Sequence, residues 1–319
     1  MKPPIYDLQG KRIYVAGHRG LVGSALMRRL AREDCEVLSV DHRELDLTRQ
    51  RETEEWLRAA RLDAVFLAAG KVGGIAVNER LQFDFLADNI AIALNAIRGA
   101  HAAGVGRLVF FGSSCIYPRL APQPMSEDMI LTGPLEPTNE GYAVAKLAGL
   151  KLVEKLRRQY GVDYVSILPS NVYGQNDNYD PLSSHVPAAL IRRFHEAKRT
   201  GAPAVTIWGT GRARREFLSA DDLADASIFV LQHYSDEVPL NIGTGEDITI
   251  TDFAHLVAEV VGYAGAIKFD TSRPDGMPRK LLDIGRLASM GWRPQITLRD
   301  GLRAAYADFR ARFDEKVEV

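Results

Sequence analysis

Tyr142 and Lys146 stand four residues apart in a stretch with helical patterning, a spacing that projects both side chains from one helix face. A free tyrosine titrates near pH 10 and exchanges protons poorly at neutral pH. A neighbouring ammonium favours the phenolate and suits the tyrosine to trade a proton with a carbonyl or an alcohol. A Tyr-x-x-x-Lys pair recurs by chance, so its setting matters. Ser113 lies just past the apolar run Leu108–Phe111, where a parallel sheet places site residues at its carboxyl edge. A serine there holds a substrate oxygen by hydrogen bond while charge develops on it. Cys115, two residues further, faces the same pocket on this reading. The competing reading of Cys115 is a small thiol packed beside the strand.

A second constellation lies near the N-terminus. Gly17-His18-Arg19-Gly20-Leu21-Val22-Gly23 follows the apolar run Ile13–Ala16 and opens a helical pattern. Gly-x-x-Gly-x-x-Gly at the first strand-to-helix junction lets the backbone turn sharply and approach a pyrophosphate, with the helix N-terminus offering free N–H groups. A nicotinamide dinucleotide is the expected cofactor, and its oxidised ring adds a positive charge beside Tyr142. At the end of the next strand a carboxylate suits the 2′-hydroxyl of NAD, and cations suit the 2′-phosphate of NADP. Asp41 offers the first; His42, Arg43 and Arg19 offer the second. The balance leans to NADP(H), with NAD(H) left open. Lys146 is also placed to bond the nicotinamide ribose.

The elements that must hold these residues read as strands Ile13–Ala16, Val37–Val40, Ala64–Ala69, Leu108–Phe111 and Tyr164–Leu168. Helical patterns alternate with them over 21–32, 49–61, 82–103 and 142–160. Buried β-branched runs alternating with helices predict an α/β chain: a Rossmann-type doubly wound parallel sheet covered on both faces. After Asn171, prolines and glycines become frequent and the alternation loosens. The expected division is a dinucleotide-binding domain of 1–170 with roughly 214–242, and a smaller α/β substrate-binding domain of 171–213 with roughly 243–319. Part of Phe217–Asn241 is expected to return to the sheet.

Composition narrows the partners. With 40 basic and 41 acidic residues the formal net charge is −1, which gives no electrostatic case for nucleic acid or an anionic membrane. No apolar run approaches the ~18 residues of a membrane span, and the N-terminal residues do not read as a leader. Two cysteines make no disulfide framework, so a reduced, cytoplasmic protein is expected. No metal site is expected.

Over essentially its whole length the chain resembles the GDP-L-fucose synthases, epimerase-reductases of the extended short-chain dehydrogenase/reductase family. The matching stretches are GHRGLVGSAL, KVGGI, GSSCIYP, LEPTNEGYAVAKLAG, SHVPAALIRRFHEAK, WGTG, NIGTG and PDGMPRKLLD. The resemblance implies 3,5-epimerisation of GDP-4-keto-6-deoxy-D-mannose followed by NAD(P)H-dependent reduction at C4. It carries Ser113, Tyr142 and Lys146 onto the reductase triad, and Cys115 and His185 onto the epimerisation pair. Arg193, Trp208, Arg215, Asp275 and Lys280 fall on positions for the GDP-sugar. Phe111-Gly112-Ser113-Ser114, Pro169-Ser170-Asn171-Val172 and His185 fall on the nicotinamide half of the cofactor site.

That chemistry suits the residue types. Carbons beside a ketone release protons because the carbanion delocalises as an enolate, and inversion needs a base and an acid on opposite faces. A thiol and an imidazole titrate close enough to neutrality to serve. Asp275 and Lys280 sit in a Pro/Gly-rich loop expected to close over the nucleotide. Arg193 and Arg215 would clamp phosphates and Trp208 would stack on guanine or ribose. Three departures stand out: Asp41-His42 where a basic run is frequent, Gly141 where a bulkier residue often precedes the tyrosine, and Leu218-Ser219. A homodimer through helices 82–103 and 142–160 is expected, as in related enzymes. A 4-epimerase, a 4,6-dehydratase or a simple 4-ketoreductase on the same scaffold remains the alternative.

Overall fold

The computed structural model describes residues 3–272 and 275–314; Arg273 and Pro274, the latter opening the PDGMPRKLLD stretch, lie outside the described residues, as do the last five positions of the expected second domain. Five strands, β1 (Lys11–Ala16), β2 (Cys35–Leu38), β3 (Ala64–Leu67), β4 (Arg107–Phe111) and β5 (Asp163–Pro169), join Leu240–Ile242 in one parallel sheet. The spatial order is Leu240–Ile242, β5, β4, β3, β1, β2. The chain leaves β1 outward to β2 and then returns to β3 on the other side of β1. That reversal opens a crevice at the carboxyl ends of β1 and β3.

Alternation along the strands decides what covers each face. In β1, Ile13 and Val15 point to one side, where they pack with Leu26 and Leu30 of α1 (Leu21–Leu30) and with Leu223 and Leu231 from the helix Ala220–His233. Tyr14 and Ala16 point to the other. There they meet Leu57 of α2 (Gln50–Ala60), and the same cluster holds Ile97 of α4 (Gln82–Ala102) and Val153 of α5 (Glu140–Tyr160), with the short α3 (Ile75–Arg80) preceding α4. Both faces being dry explains why β3, β4 after Arg107 and most of β5 are apolar. Arg28 and Arg29 on α1 bond Asp221 and Asp225 at 2.6 and 2.7 Å, tying the glycine-turn helix to its neighbour on that face.

A third apolar cluster stands apart from these two. It joins Ile191 and Phe194 of α6 (Val186–Thr200) to Val205 and Ile207, to Phe253 and Val257 of the helix Ile250–Val261, and to Leu302 and Phe309 of the last helix.

Several boundaries differ from the sequence expectation. β2 covers Cys35–Leu38 instead of Val37–Val40 because Lys11 of β1 pairs with Cys35, so Asp41 comes three residues after the strand. α5 starts at Glu140 and includes Gly141, whose N–H donates to Gln82 Oε1 at 3.2 Å. Of the stretch 217–241, only the start of Leu240–Ile242 enters the sheet; Phe217–Ser219 pairs with Asn171–Tyr173 in a separate two-stranded ribbon.

Candidate active site

β4 ends at Phe111, and the chain passes through Gly112 and Ser113 into one 3-10 turn, Ser114–Ile116. Ser113 caps that turn, its Oγ accepting the Cys115 N–H at 3.3 Å. One strand end therefore presents both the hydroxyl and the thiol. α5 supplies the facing wall. The Ser113 side chain lies close enough to both the Tyr142 phenol and the Cys115 thiol to lower each of their pKa values. Lys146 is buried; its Nζ donates to the Phe111 carbonyl at 2.8 Å and lies 5.7 Å from the centre of the Tyr142 ring.

Burial dominates the electrostatics of this corner. It pulls Lys146 down to about 8, with Cys115 opposing weakly. It pushes the Tyr142 phenol above its ordinary value, with Ser113 acting the other way. The Cys115 thiol, 7% exposed, is likewise raised by burial, against the opposite pull of Lys280, Ser113 and Lys146. At neutral pH the phenol and thiol are therefore both protonated.

His185 occupies the N-cap position of α6. The segment before it is folded on Asp180, whose Oδ1 accepts from the N–H groups of Leu182 and Ser183 at 2.9 and 3.0 Å. Ser183 in turn accepts the Gly74 N–H at 2.8 Å, fastening this segment to the KVGGI loop after β3. The imidazole is open to solvent in the cleft, yet the protein crowded around it lowers its pKa, and Lys280 lowers it further. Lys280 thus acts on both Cys115 and His185, which brings the two epimerisation candidates to one neighbourhood. Its own ammonium is depressed by burial, with Cys115 opposing and Arg215 adding to the depression.

Lys280 is not in an open flap, contrary to the sequence expectation. It belongs to a short strand, Arg279–Lys280, paired in parallel with Arg214–Arg215. Asp275 is similarly fastened: it accepts from Thr210 N at 2.6 Å and from Thr210 Oγ1 at 2.8 Å. Arg193 stands over Trp208 at 5.9 Å, and that indole is 55% exposed. Neighbouring Arg192 is spent on Glu196 at 2.6 Å and the Tyr179 carbonyl at 3.0 Å. A surface hollow of about 610 Å³ lies elsewhere, beside His195, Lys198, Tyr306 and Arg310, and contains none of these residues.

The glycine turn fits a dinucleotide. Gly17 has φ +83°, and a Cβ there would lie 2.9 Å from Ala69 Cα in β3's continuation; at Gly23 a Cβ would overlap the Gly17 carbonyl. The backbone is therefore drawn tight around the α1 N-terminus at Leu21-Val22, as close phosphate approach requires. Arg19 forms an ion pair with Asp41, which also accepts the Arg43 N–H at 2.9 Å; that bond, with Arg19, Arg43 and His18, holds the Asp41 carboxyl below the usual range. His18 and Gly20 lie in the same turn, and His42 is exposed beside Asp41. The ends of β4 and β5 lie side by side: Gly112 N donates to Ile167 O at 2.8 Å, bringing Ser114 near Pro169 and Ser170. Val172 and Asn171 follow in the ribbon with Phe217–Leu218. The Ser170 hydroxyl is buried without a protein partner. Sequence reasoning missed Glu216, fully buried next to Arg215, and the buried Asn89, which accepts the Lys71 N–H at 2.9 Å and so shapes the KVGGI loop.

A doubly wound sheet with a glycine-rich first turn and a Ser/Tyr/Lys corner at its carboxyl edge defines a short-chain dehydrogenase/reductase. Residues 13–243 match the NAD dependent epimerase/dehydratase family. The chain is 52% identical over 306 residues to a GDP-L-fucose synthase of Sinorhizobium fredii, covering 96% of this chain and 98% of that one. It is also 52% identical over 296 residues to GDP-L-fucose synthase 1 of Arabidopsis thaliana, covering 92% of each. Among solved structures, a GDP-mannoheptose C4 reductase of Campylobacter jejuni with NADP bound superposes with a TM-score of 0.86 at 33% identity, over 94% of this chain and 98% of that one. The chain belongs to the NAD dependent epimerase/dehydratase family, in its GDP-L-fucose synthase branch.

Proposed function

We propose that this protein makes GDP-L-fucose from GDP-4-keto-6-deoxy-D-mannose by 3,5-epimerisation followed by NADPH-dependent reduction at C4. The observation that carries the reading is the gathering of Ser113, Cys115, Tyr142 and Lys146 at one strand end, with Lys280 coupling that corner to His185. NADPH, when bound, supplies the hydride for C4. Gly17 to Gly23 hold its pyrophosphate, Arg19 with His42 faces the 2′-phosphate, and Phe111–Ser114 with Pro169–Val172 lines the nicotinamide half.

Cys115 and His185 move the protons at C3 and C5, one removing and the other returning. Ser113 and Tyr142 bond the ketone oxygen and stabilise the enolate. At reduction Tyr142 gives its phenolic proton to the C4 oxygen, for which its protonated resting form is the right one. Lys146 compensates the phenolate left behind. Arg193, Trp208, Arg215, Asp275 and Lys280 bind the GDP half.

The third apolar cluster, drawn mainly from 173–207 and 253–309, supports a second unit within 171–213 and 243–319 beside a dinucleotide-binding unit of 1–170 with 214–242, while Leu282, Leu287 and Trp292 pack with the sheet clusters and Phe217 with the third. Half-exposed Leu86, Ile90 and Leu94 on α4, with Val144 and Leu152 on α5, support a homodimer through those helices. No helix among the described residues is long and apolar enough to cross a membrane, in keeping with cytoplasmic work.

The test is incubation with GDP-4-keto-6-deoxymannose and NADPH in D₂O. Deuterium at C3 and C5 together with cofactor oxidation is expected. Oxidation without exchange would leave a C4 ketoreductase, the activity named for the Campylobacter relative.

A further inference from the structure

Glu216 is 0% exposed and lies between the strand Arg214–Arg215 and the strand Phe217–Ser219. Its carboxylate meets only donors. Oε1 accepts from Thr244 N at 2.6 Å, Gly245 N at 2.8 Å and Thr244 Oγ1 at 3.4 Å; Oε2 accepts from Leu282 N at 3.0 Å. The main chain of the same residue adds two more ties. Glu216 O accepts from Asn171 Nδ2 at 2.7 Å, and Glu216 N donates to Lys280 O at 3.3 Å. One residue thus joins the segment after β5, the NIGTG turn and the strand that carries Lys280. Gly243 makes the approach possible, since a Cβ there would collide with Oε1.

A buried charge is costly, and a side chain retained at that cost needs a compensating return. Burial raises the Glu216 carboxyl above its ordinary value, and the donors from Gly245, Leu282 and Thr244 oppose that rise by favouring the ionised form. An amide nitrogen in place of Oε2 would set a donor against the Leu282 N–H. The negative charge also acts favourably on Lys280, which Arg215 disfavours. Two cations meant for a diphosphate repel each other before the ligand arrives. Glu216 offsets that repulsion from behind, where it does not compete for the ligand.

We propose that Glu216 is the positioning residue of the nucleotide half of the site, holding Arg215 and Lys280 in register to receive the diphosphate of the GDP-sugar. This rests on the GDP-sugar reading above. Glu216 touches no substrate; it acts through the two cations and the turn it binds.

The test titrates GDP and, separately, NADPH into the wild type and Glu216→Gln by calorimetry. Glu216→Gln keeps the shape but turns one acceptor into a donor. GDP binding is expected to weaken about tenfold, the factor that accompanies one charge-assisted hydrogen bond. NADPH binding should change less than about twofold, because the glycine turn is elsewhere. In an Arg215→Ala/Lys280→Ala background the Glu216→Gln change should add nothing, which a general loss of structure would not reproduce. Equal GDP affinity in wild type and Glu216→Gln overturns the proposal, as does a parallel loss of NADPH binding. Wild type that binds NADPH but no GDP overturns the GDP-sugar reading itself. If Glu216→Gln does not fold, Gly243→Ala, which displaces Oε1 while keeping the charge, must show the same selective loss.

Discussion

Replacing Lys146 with methionine should stabilise the cofactor-free protein while stopping reduction. Burial draws the Lys146 ammonium from 10.5 to about 8, so holding it charged at pH 7 costs about 3 kcal/mol relative to the unfolded chain. Methionine is similar in length, carries no charge, and suits the Phe110 and Tyr142 rings that Lys146 lies near. Losing the bond to the Phe111 carbonyl gives back about 1 kcal/mol. The net gain is about 2 kcal/mol, or a rise in Tm of about 3 °C for a chain of 319 residues.

The pH dependence gives a sharper check. The folded protein releases this proton near pH 8 and the unfolded chain near 10.4. Between those values the unfolded state binds more protons, so wild-type stability gains from this residue as pH rises. The variant lacks the gain, so its advantage is greatest below pH 8 and closes toward pH 10. Urea midpoints at pH 6.5, 8 and 9.5 measure it, and NADPH oxidation should fall at least about a hundredfold. A wild type as stable as Lys146→Met at pH 7, or curves that run parallel from pH 7 to 10, would refute the reasoning.

Three more outcomes are expected. Asp41→Asn should favour NADPH over NADH by about a further tenfold, because an ionised carboxylate sharing Arg19 repels a 2′-phosphate; an unchanged affinity ratio in fluorescence titrations contradicts this. Gly23→Ala should weaken both dinucleotides at least about tenfold, since the turn must open to free the Gly17 carbonyl; retained affinity would show that the turn does not hold the pyrophosphate. Cys115→Ala should abolish deuterium wash-in at one of C3 or C5 while leaving NADPH affinity intact. Full exchange at both carbons in that variant removes the thiol from the chemistry.

Much of this site was legible because its chemistry follows local rules. The glycine turn, Ser113 and Cys115 all sit at carboxyl ends of strands that their apolar runs disclose, and Tyr142 and Lys146 obey helix periodicity. Register was less legible. β2 ends two residues earlier than its apolar run because pairing with β1, not hydrophobicity, sets its length. Glu216 left no local signal at all. Its partners lie 28, 29 and 66 residues away, and an acidic residue amid arginines reads as a surface charge until the turns close on it. Lys280 looked like part of a flap for the same reason, since its strand exists only through pairing with Arg215.

The enclosure of Cys115 has a practical consequence. A sulfur that is 7% exposed and raised above its free titration range offers peroxide or a passing disulfide very little thiolate. The thiol proposed to move a proton in epimerisation is therefore poorly exposed to oxidation. Cys35, the other free cysteine and the more accessible of the two, is the one a labelling reagent would meet first.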